Sequence, residues 1–256
     1  MPGREGQEGD IPISQRAITQ QSQGTIKSLL DALVELVTNS DDSYRRLEED
    51  GISRDGSIHV YVHRERGGSV SEVEVADWAE GMTLERIQTI LEFSGDTSGF
   101  TSGRNLRGLF GKGLKEAIFA LGSGRIESVR EGALSVVELR YDSPNNRYRW
   151  YVEKDEWPSD EPNGTHVSIT VSNPRMLSPT WDPLRNQFCT HFALRDICSS
   201  SRAVELRLKD TRITNSAPIQ YVTPEVTQIV DKDIRVSELG TVHLQIYESP
   251  DPLPFA

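Results

Sequence analysis

Residues 35–42 read Glu-Leu-Val-Thr-Asn-Ser-Asp-Asp, and this stretch lies inside a segment with helical periodicity. Apolar residues recur at three- and four-residue steps from Ile26 to Val37, which predicts one long amphipathic helix that begins near Thr25. Two interpretations of the polar face stay open: a solvated surface, or a site where a divalent cation offsets the repulsion among the acids. The polar face carries Asp31, Glu35, Asn39, Asp42 and Arg46.

A second stretch, Asp-Trp-Ala-Glu-Gly-Met at residues 77–82, follows the strand-like alternation of Val73 and Val75. An acid before a glycine turn commonly caps that turn through its own side chain. Alternatively, the Asp77 carboxylate could accept a hydrogen bond from the exocyclic amine of a base. Gly81 would then let the backbone approach the base closely, and Met82 would pack on the ring.

A third stretch, Gly-Leu-Phe-Gly-Lys-Gly at residues 108–113, immediately precedes a predicted helix over residues 114–121. Glycines before a helix can aim successive amide groups at an anion, and the helix amino terminus favours negative charge. Basic residues nearby give local positive charge within an acidic chain. A turn with ordinary surface lysines is the alternative, and the Walker spacing is absent. The basic residues are Arg104, Arg107, Lys112 and Lys115.

The rest of the chain alternates strand-like and helix-like segments. Thr83 resembles the cap of a helix that runs to about Phe93, and a Gly, Ser, Thr and Asp-rich loop spans residues 94–107. A hairpin is predicted around residues 64–68. The predicted strands cover residues 57–63, 71–76, 125–130, 134–141, 148–153, 165–171, 204–209 and 242–247, and a further helix covers 184–199.

Composition and punctuation suggest three parts: a flexible arm over residues 1–22, a first domain over 23–175 and a second, partial domain over 176–256. Pro174, Pro179 and Pro183 mark the boundary between the domains. The last residues, Pro250–Ala256, form an unusual ending, so we expect the second domain to continue in a longer protein.

The charge and cysteine content limit the function classes. The chain has 28 basic and 39 acidic residues, a net charge of −11, which disfavours a surface built mainly for nucleic acid or anionic membrane. Cys189 and Cys198 have no metal-ligand spacing and are expected to be reduced, half-buried thiols. No apolar run reaches membrane-spanning length, so we expect a soluble protein of the cytoplasm, or of the nucleus in a eukaryote.

Taken in this order, the three stretches resemble those of the GHKL ATPases, which include gyrase B, the ninety-kilodalton heat-shock chaperones, MutL, the microrchidia proteins and histidine kinases. The resemblance covers residues 20–175 and is closest to the chaperone and microrchidia branch. It implies an α+β fold, a two-layer α/β sandwich of the Bergerat type with a mixed sheet and helices on one face. A transducer-like α/β domain would begin after residue 175.

The resemblance also implies a role for each matching residue, with ATP and Mg2+ as cofactors. Glu35 matches the acid that activates water, Asn39 the magnesium ligand and Asp77 the acid that binds adenine. Residues 94–107 match the ATP lid. The remaining cofactor-binding positions are Asp42, Gly81, Met82, Gly108, Leu109, Phe110, Gly111, Lys112, Gly113, Leu114 and Thr165.

Two departures from the family pattern concern the second stretch. Ala79 stands where a glycine is usual, and Glu80 stands where a small apolar residue is usual, next to the bulky Trp78. We expect these changes to alter the geometry of adenine binding or to weaken its affinity. No lysine that would contact the γ-phosphate is identified in this chain.

The sequence therefore predicts a slow ATPase in which ATP orders the lid and brings two copies of the chain together. The alternatives are a nucleotide-binding regulatory module without hydrolysis, or a histidine-type kinase, which is disfavoured because such kinases lack an equivalent of Glu35. Nucleic acid would be contacted only through the full-length protein or a partner, and no membrane is expected.

Overall fold

The structure is a computed structural model, and it describes residues 6, 8–10, 26–91, 112–142, 147–199, 202–222, 227–236 and 240–248. The helices are α1 (Leu29–Glu49), α2 (Leu84–Leu91), α3 (Lys112–Leu121), α4 (Trp181–Thr190) and α5 (Arg195–Ser199), with a 3-10 turn at Phe192–Leu194. The strands are β1 (Glu8–Asp10), β2 (Ser57–Arg64), β3 (Val70–Asp77), β4 (Gly122–Arg130), β5 (Ala133–Asp142), β6 (Arg147–Pro158), β7 (Gly164–Val171), β8 (Ala203–Lys209), β9 (Thr214–Ile219), β10 (Thr227–Val236) and β11 (Gly240–Glu248).

Within these residues the strands form a nine-stranded sheet in the order β1-β6-β5-β4-β7-β3-β2-β8-β9. Neighbouring strands are antiparallel except β2 and β8, which run parallel with Ile58 opposite Val204 and Val60 opposite Leu206. The remaining two strands, β10 and β11, pair with each other as a separate hairpin. The mixed sheet predicted from the family resemblance is confirmed.

The two faces of the sheet differ in polarity. On β2, Ile58, Val60 and Val62 are buried, whereas His59 and Tyr61 lie on the opposite face. Helix α1 packs on β2 and β3, α3 packs on β4 and β7, and the apolar side chains between these layers form one continuous core. Period-two alternation of this kind is what a sheet with one helix-covered face requires, so the predicted α/β sandwich is confirmed.

Helix α1 begins at Leu29, four residues later than the sequence suggested, because a capping box fixes its start. The Ser28 side chain accepts a hydrogen bond from Asp31 N at 3.2 Å, and Asp31 Oδ2 accepts one from Ser28 N at 2.8 Å. The cap fixes the first residue of the helix and therefore which side chains face the sheet. Residues 35–42 fall in the middle of the helix, as predicted.

The chain after residue 175 continues the same sheet and core instead of separating from it. Phe188 and Ile197 of the following helices are fully buried, and Leu206 of β8 lies in the core cluster with Val60 of β2. The boundary expected at the prolines is therefore not a break in packing. Of the strands that the structure describes, only β10 and β11 lie outside this sheet.

Some local predictions differ from the structure. The helix expected over residues 184–199 is interrupted at His191, whose backbone is extended and whose Nδ1 accepts a hydrogen bond from Ala193 N at 3.3 Å. Three residues of the predicted flexible arm form β1 and pair with residues 149–151 of β6. The sequence did not predict strands β9 and β10. Pro218 interrupts the strand pattern of β9, and the charged residues around Asp231 interrupt that of β10.

Both cysteines are free thiols, as expected, but they are buried and not half-buried. Burial, with a contribution from Cys189, raises the pKa of Cys198 to about 12, so this thiol stays protonated and unreactive. Of the helices that the structure describes, none combines the length and the apolar character that a bilayer crossing requires.

Candidate nucleotide site

The polar residues of α1 do not form a solvated face. Glu35 and Asn39 are half-buried, and Asp42 is only 4 % exposed. Helix α3, which packs on β4 and β7, also packs against α1 and covers part of it. These residues are therefore less exposed than an ordinary water-facing helix surface.

Gly113 brings the third stretch against the first. A Cβ atom at Gly113 would overlap Glu35 Oε2 and would lie 3.4 Å from Asn39 Nδ2. The Asn39 side-chain nitrogen donates to Glu35 O at 2.8 Å, which leaves the amide oxygen as the acceptor end of that side chain. Glu35, Asn39 and the start of α3 thus meet at one place.

The Glu35 carboxylate lies in an acidic surrounding. Burial raises the pKa of Glu35 above its usual value, and neighbouring negative charges raise it further. A cation bound beside the carboxylate would relieve this repulsion. The neighbouring acids are Glu116, Asp42 and Asp31.

Residues 77–82, which we call the acid turn, leave β3 beneath α1. Asp77 is 6 % exposed, its Oδ2 accepts a hydrogen bond from Ser40 Oγ at 2.9 Å, and its Oδ1 accepts one from Ala79 N at 3.1 Å. Burial raises the pKa of Asp77 from 3.8 to about 6, although these hydrogen bonds act in the opposite direction. Among the described residues, the hydrogen-bond donors to this buried carboxylate are neutral, which suits recognition of a polar group rather than of a free cation.

Gly81 and Met82 hold the acid turn against the end of β4. Gly81 has φ +71°, and a Cβ there would overlap the Val129 carbonyl oxygen, so both the conformation and the close approach require glycine. Met82 N donates to Ser128 Oγ at 2.8 Å, and Met82 packs partly buried on the core. The glycine predicted to allow close approach therefore approaches another strand.

Thr165 joins the same region from β7. Its hydroxyl lies 2.9 Å from Ser128 Oγ, which also donates to Gly164 O at 3.1 Å. Thr165 lies opposite Asp77 in the β3–β7 register, so the hydroxyl network and the acid share one end of the sheet. The predicted positions 77, 81, 82 and 165 come together.

Ala79 and Glu80, which depart from the family pattern in the acid turn, make specific contacts within the fold. The Glu80 carboxylate pairs with Arg46 of α1 and lies 3.4 Å from Arg130 Nη1, and Ala79 is fully buried with its amide held by Asp77. A small apolar residue at position 80 could not make this bridge. Trp78 lies at the surface, with its ring 4.7 Å from that of His59.

The third stretch is described only from Lys112 onward. Gly108, Leu109, Phe110 and Gly111 and the predicted lid at 94–107 lie outside the described residues, as does the Lys112 side chain. Leu114 is buried in the core beside α1. Lys115 was expected to add positive charge near the loop. Its side chain is buried, at 3 % exposure, and its Nζ donates a hydrogen bond to Ile90 O at 3.0 Å.

Four residues of the site carried no sequence signal of their own. Tyr44, Glu116, Ser128 and Arg202 are all buried in or behind it. Ser128 and Arg202 stand 36 and more residues from the groups that they bind, so no local spacing could have revealed them. Ser40 lies within the first stretch, but its hydrogen bond to Asp77 could not be predicted from that stretch.

The donor set fits a hard cation better than a soft one. An amide oxygen and carboxylates meet near Asn39, Glu35 and Asp42, and oxygen ligands are those that Mg2+ prefers. The part of the chain described here contains no group of three His, Cys, Asp or Glu residues arranged to hold a metal ion alone. Any magnesium ion here would therefore need further oxygen ligands, such as phosphate and water.

A known family of ATPases matches the part of the chain that carries these residues. The model of the histidine kinase-, DNA gyrase B-, and HSP90-like ATPases matches residues 27–170, a range that contains α1, the acid turn, α3 and all but the last residue of β7. A comparison with curated proteins found no significant match. The family is one of ATP-binding domains, and its match spans more than half of the 256 residues. The chain therefore belongs to the family of histidine kinase-, DNA gyrase B-, and HSP90-like ATPases.

Proposed function

We propose that this chain binds ATP together with Mg2+ and hydrolyses it slowly. The observation that carries the proposal is that Glu35 and Asn39 of α1 meet Gly113, while Ser40, the next residue of the same helix, holds Asp77. A helix that carries the acid and amide of the phosphate side, and that holds the acid of the base side through Ser40, suits one extended nucleotide. Adenine would lie at Asp77, and the phosphates at the amino terminus of α3.

Asn39 would hold the magnesium ion through its amide oxygen, with phosphate and water as the other ligands. The ion, when bound, neutralises phosphate charge and so assists attack at the terminal phosphorus. Asp42 lies close enough to Glu35 to affect its pKa, so it adds negative charge on the same side. This charge supports a cation site without assigning Asp42 as a ligand.

Glu35 would act as the general base that polarises the attacking water. Its raised pKa makes it a stronger base than an exposed glutamate, and its half-buried position limits competing solvent. In the same proposal, bound ATP orders residues 94–107 as a lid and draws two copies of the chain together. The support for the lid and the dimer is the family alone.

Glu35→Gln tests the proposal because it removes the base and leaves the shape of the side chain. Titration calorimetry with a non-hydrolysable ATP analogue and Mg2+ should give wild-type affinity, and phosphate release should fall by about 100-fold or more. Glu49→Gln, an exposed position on the same helix, serves as the control and should change neither quantity. Unchanged phosphate release in Glu35→Gln would remove Glu35 as the base, and no binding by the wild type would remove the proposed function.

A further inference from the structure

Tyr44 joins three parts of the fold through its hydroxyl group. The side chain is 1 % exposed, and its hydroxyl donates to Ser57 O at 2.8 Å while it accepts from Ser57 N at 3.1 Å. The hydroxyl also accepts from Trp78 N at 3.0 Å. Because Trp78 directly follows Asp77, Tyr44 fixes the backbone at the start of the acid turn.

Ser40 lies one helical turn before Tyr44 and holds the Asp77 side chain. Helix α1 therefore fixes both the carboxylate of Asp77, through Ser40, and the following amide, through Tyr44. A small rotation of α1 about its axis would move both contacts together. The orientation of the acid turn thus depends on what fixes the rotation of α1.

Arg202, which directly precedes β8, fixes that rotation from outside the family-matched residues. Its Nε donates to Asp41 Oδ1 at 2.9 Å and its Nη1 to Glu48 Oε1 at 2.6 Å. Its guanidinium carbon lies 4.8 Å from the centre of the Tyr44 ring. One side chain therefore contacts three residues on successive turns of α1.

Gly56, which directly precedes β2, leaves space for the Arg202 side chain. A Cβ at Gly56 would overlap Arg202 Cδ, and Ala203 N donates to Gly56 O at 2.6 Å, so the backbone around Arg202 is tied to β2. Arg202 itself is 7 % exposed. A buried ion pair is a poor source of stability compared with apolar packing, so its value here lies in fixing one arrangement of the groups around it.

We propose that Tyr44 and Arg202 are positioning residues for the adenine end of the nucleotide site, a role that rests on the ATP binding proposed above. Neither residue needs to touch the nucleotide. Arg202 holds α1 in one rotation, and Tyr44 carries that constraint to the backbone of the acid turn, which sets the direction of the Asp77 carboxylate. The segment after residue 175 thereby controls how the site discriminates between bases, while Glu35 and Asn39 continue to act on the phosphate side.

The test compares two nucleotides that differ only in the base. Non-hydrolysable analogues of ATP and GTP are titrated calorimetrically into the wild-type chain, Tyr44→Phe and Arg202→Lys. Tyr44→Phe keeps the ring against Arg202 and removes only the hydroxyl, and Arg202→Lys keeps the charge but cannot reach Asp41 and Glu48 in the same fork geometry. Affinity for the ATP analogue should fall about tenfold in Tyr44→Phe, while that for the GTP analogue changes less than about twofold.

Arg202→Lys should show the same loss of preference to a smaller extent, because the positive charge is retained. Tyr61→Phe on the open face of β2 and Arg207→Lys on β8, whose side chain is 52 % exposed, are the matched controls and should keep the wild-type preference. The ratio of the two affinities is the deciding quantity, because a purely structural loss of folded protein lowers both affinities equally.

Three results would overturn the positioning role. Equal weakening of both analogues, or no weakening of either, would show that Tyr44 and Arg202 do not act on base selection. Absence of a cooperative thermal transition in both variants would assign them to folding alone. A wild-type chain that binds neither analogue would instead refute the proposed function itself, so the two failures are distinguishable.

Discussion

Ser40 Oγ donates a hydrogen bond of 2.9 Å to Asp77 Oδ2, and both residues are buried. This contact joins the stretch at 35–42 to the stretch at 77–82, which lie on different elements. A buried carboxylate with a fixed hydroxyl donor keeps one orientation, since loss of that donor would leave the acid poorly solvated. Helix α1, which would carry the catalytic groups, therefore also fixes the orientation of Asp77, the acid that would select adenine.

Asp77→Asn should change how stability depends on pH. Burial raises the pKa of Asp77 from 3.8 to about 6, so between these values the folded protein holds a proton that the unfolded chain releases. The contribution of Asp77 to stability is therefore fully present below pH 3.8 and is lost as the pH rises through about 6, by up to about 3 kcal/mol.

Chemical denaturation of the wild type and Asp77→Asn at a series of pH values measures this contribution as a difference. We expect the free energy of unfolding of the wild type, relative to the variant, to fall between about pH 4 and 6.5 and then to stay constant. A difference that does not vary over this range would contradict the raised pKa. Other acids titrate equally in both proteins, so their contributions cancel.

Gly81→Ala should destabilise the fold through its backbone. The residue has φ +71°, where a Cβ costs about 1–2 kcal/mol, and here the added atom would also overlap the Val129 carbonyl oxygen. We expect a loss of more than about 2 kcal/mol in the free energy of unfolding and a weaker Met82–Ser128 contact.

Gly67→Ala is the matched control for this change. Gly67 has φ +88° but nothing within 4 Å of an added Cβ, so only the conformational penalty of about 1 kcal/mol remains. Equal losses in the two variants would show that the close approach of the acid turn to β4 contributes nothing.

The parts of the fold that depend on neighbouring residues could be predicted from the sequence. The periodicity of α1, the alternation in β2 and β3, and Asp77 at a strand end were all readable because each depends on neighbouring residues. Arg202 was not readable, since its partners Asp41 and Glu48 stand more than 150 residues away. The parallel pairing of β2 with β8 was missed for the same reason, and it carried the sheet past the expected boundary.

Glu80→Ala should weaken the fold more than loss of an ordinary surface acid. The Glu80 side chain is 16 % exposed and bridges Arg46 and Arg130, so its removal leaves Arg46, itself 18 % exposed, beside the acid turn without this carboxylate. We expect a loss of about 1–2 kcal/mol, measured by chemical denaturation, because the pair is partly desolvated.

Glu138→Ala is the control, since Glu138 lies 3.7 Å from Arg140 and the side chains are 34 % and 59 % exposed. A loss below about 0.5 kcal/mol is expected for such an exposed pair. If Glu80→Ala costs no more than this, the bridge does not stabilise the acid turn, and the departure at position 80 has no structural compensation.

Gly113→Ala should impair turnover while the fold stays intact. Gly113 lies in a helix, where alanine is favoured by about 0.5–1 kcal/mol, but its Cβ would overlap the Glu35 carboxylate. Because that carboxylate is the far end of a flexible side chain, it would swing aside at little cost in stability. We expect phosphate release to fall by about tenfold or more, with the midpoint of thermal unfolding unchanged or slightly raised.

The double variant Glu35→Gln/Gly113→Ala separates this effect from a general disturbance of the phosphate side. If alanine at position 113 acts only by displacing Glu35, it should add no further loss once the carboxylate has been removed. Additive losses in the double variant would mean that Gly113 contributes independently, for example through backbone amides that the proposed phosphates contact. Affinity for a non-hydrolysable ATP analogue, measured in the same variants, distinguishes the two cases, because displacement of Glu35 alone leaves binding unchanged.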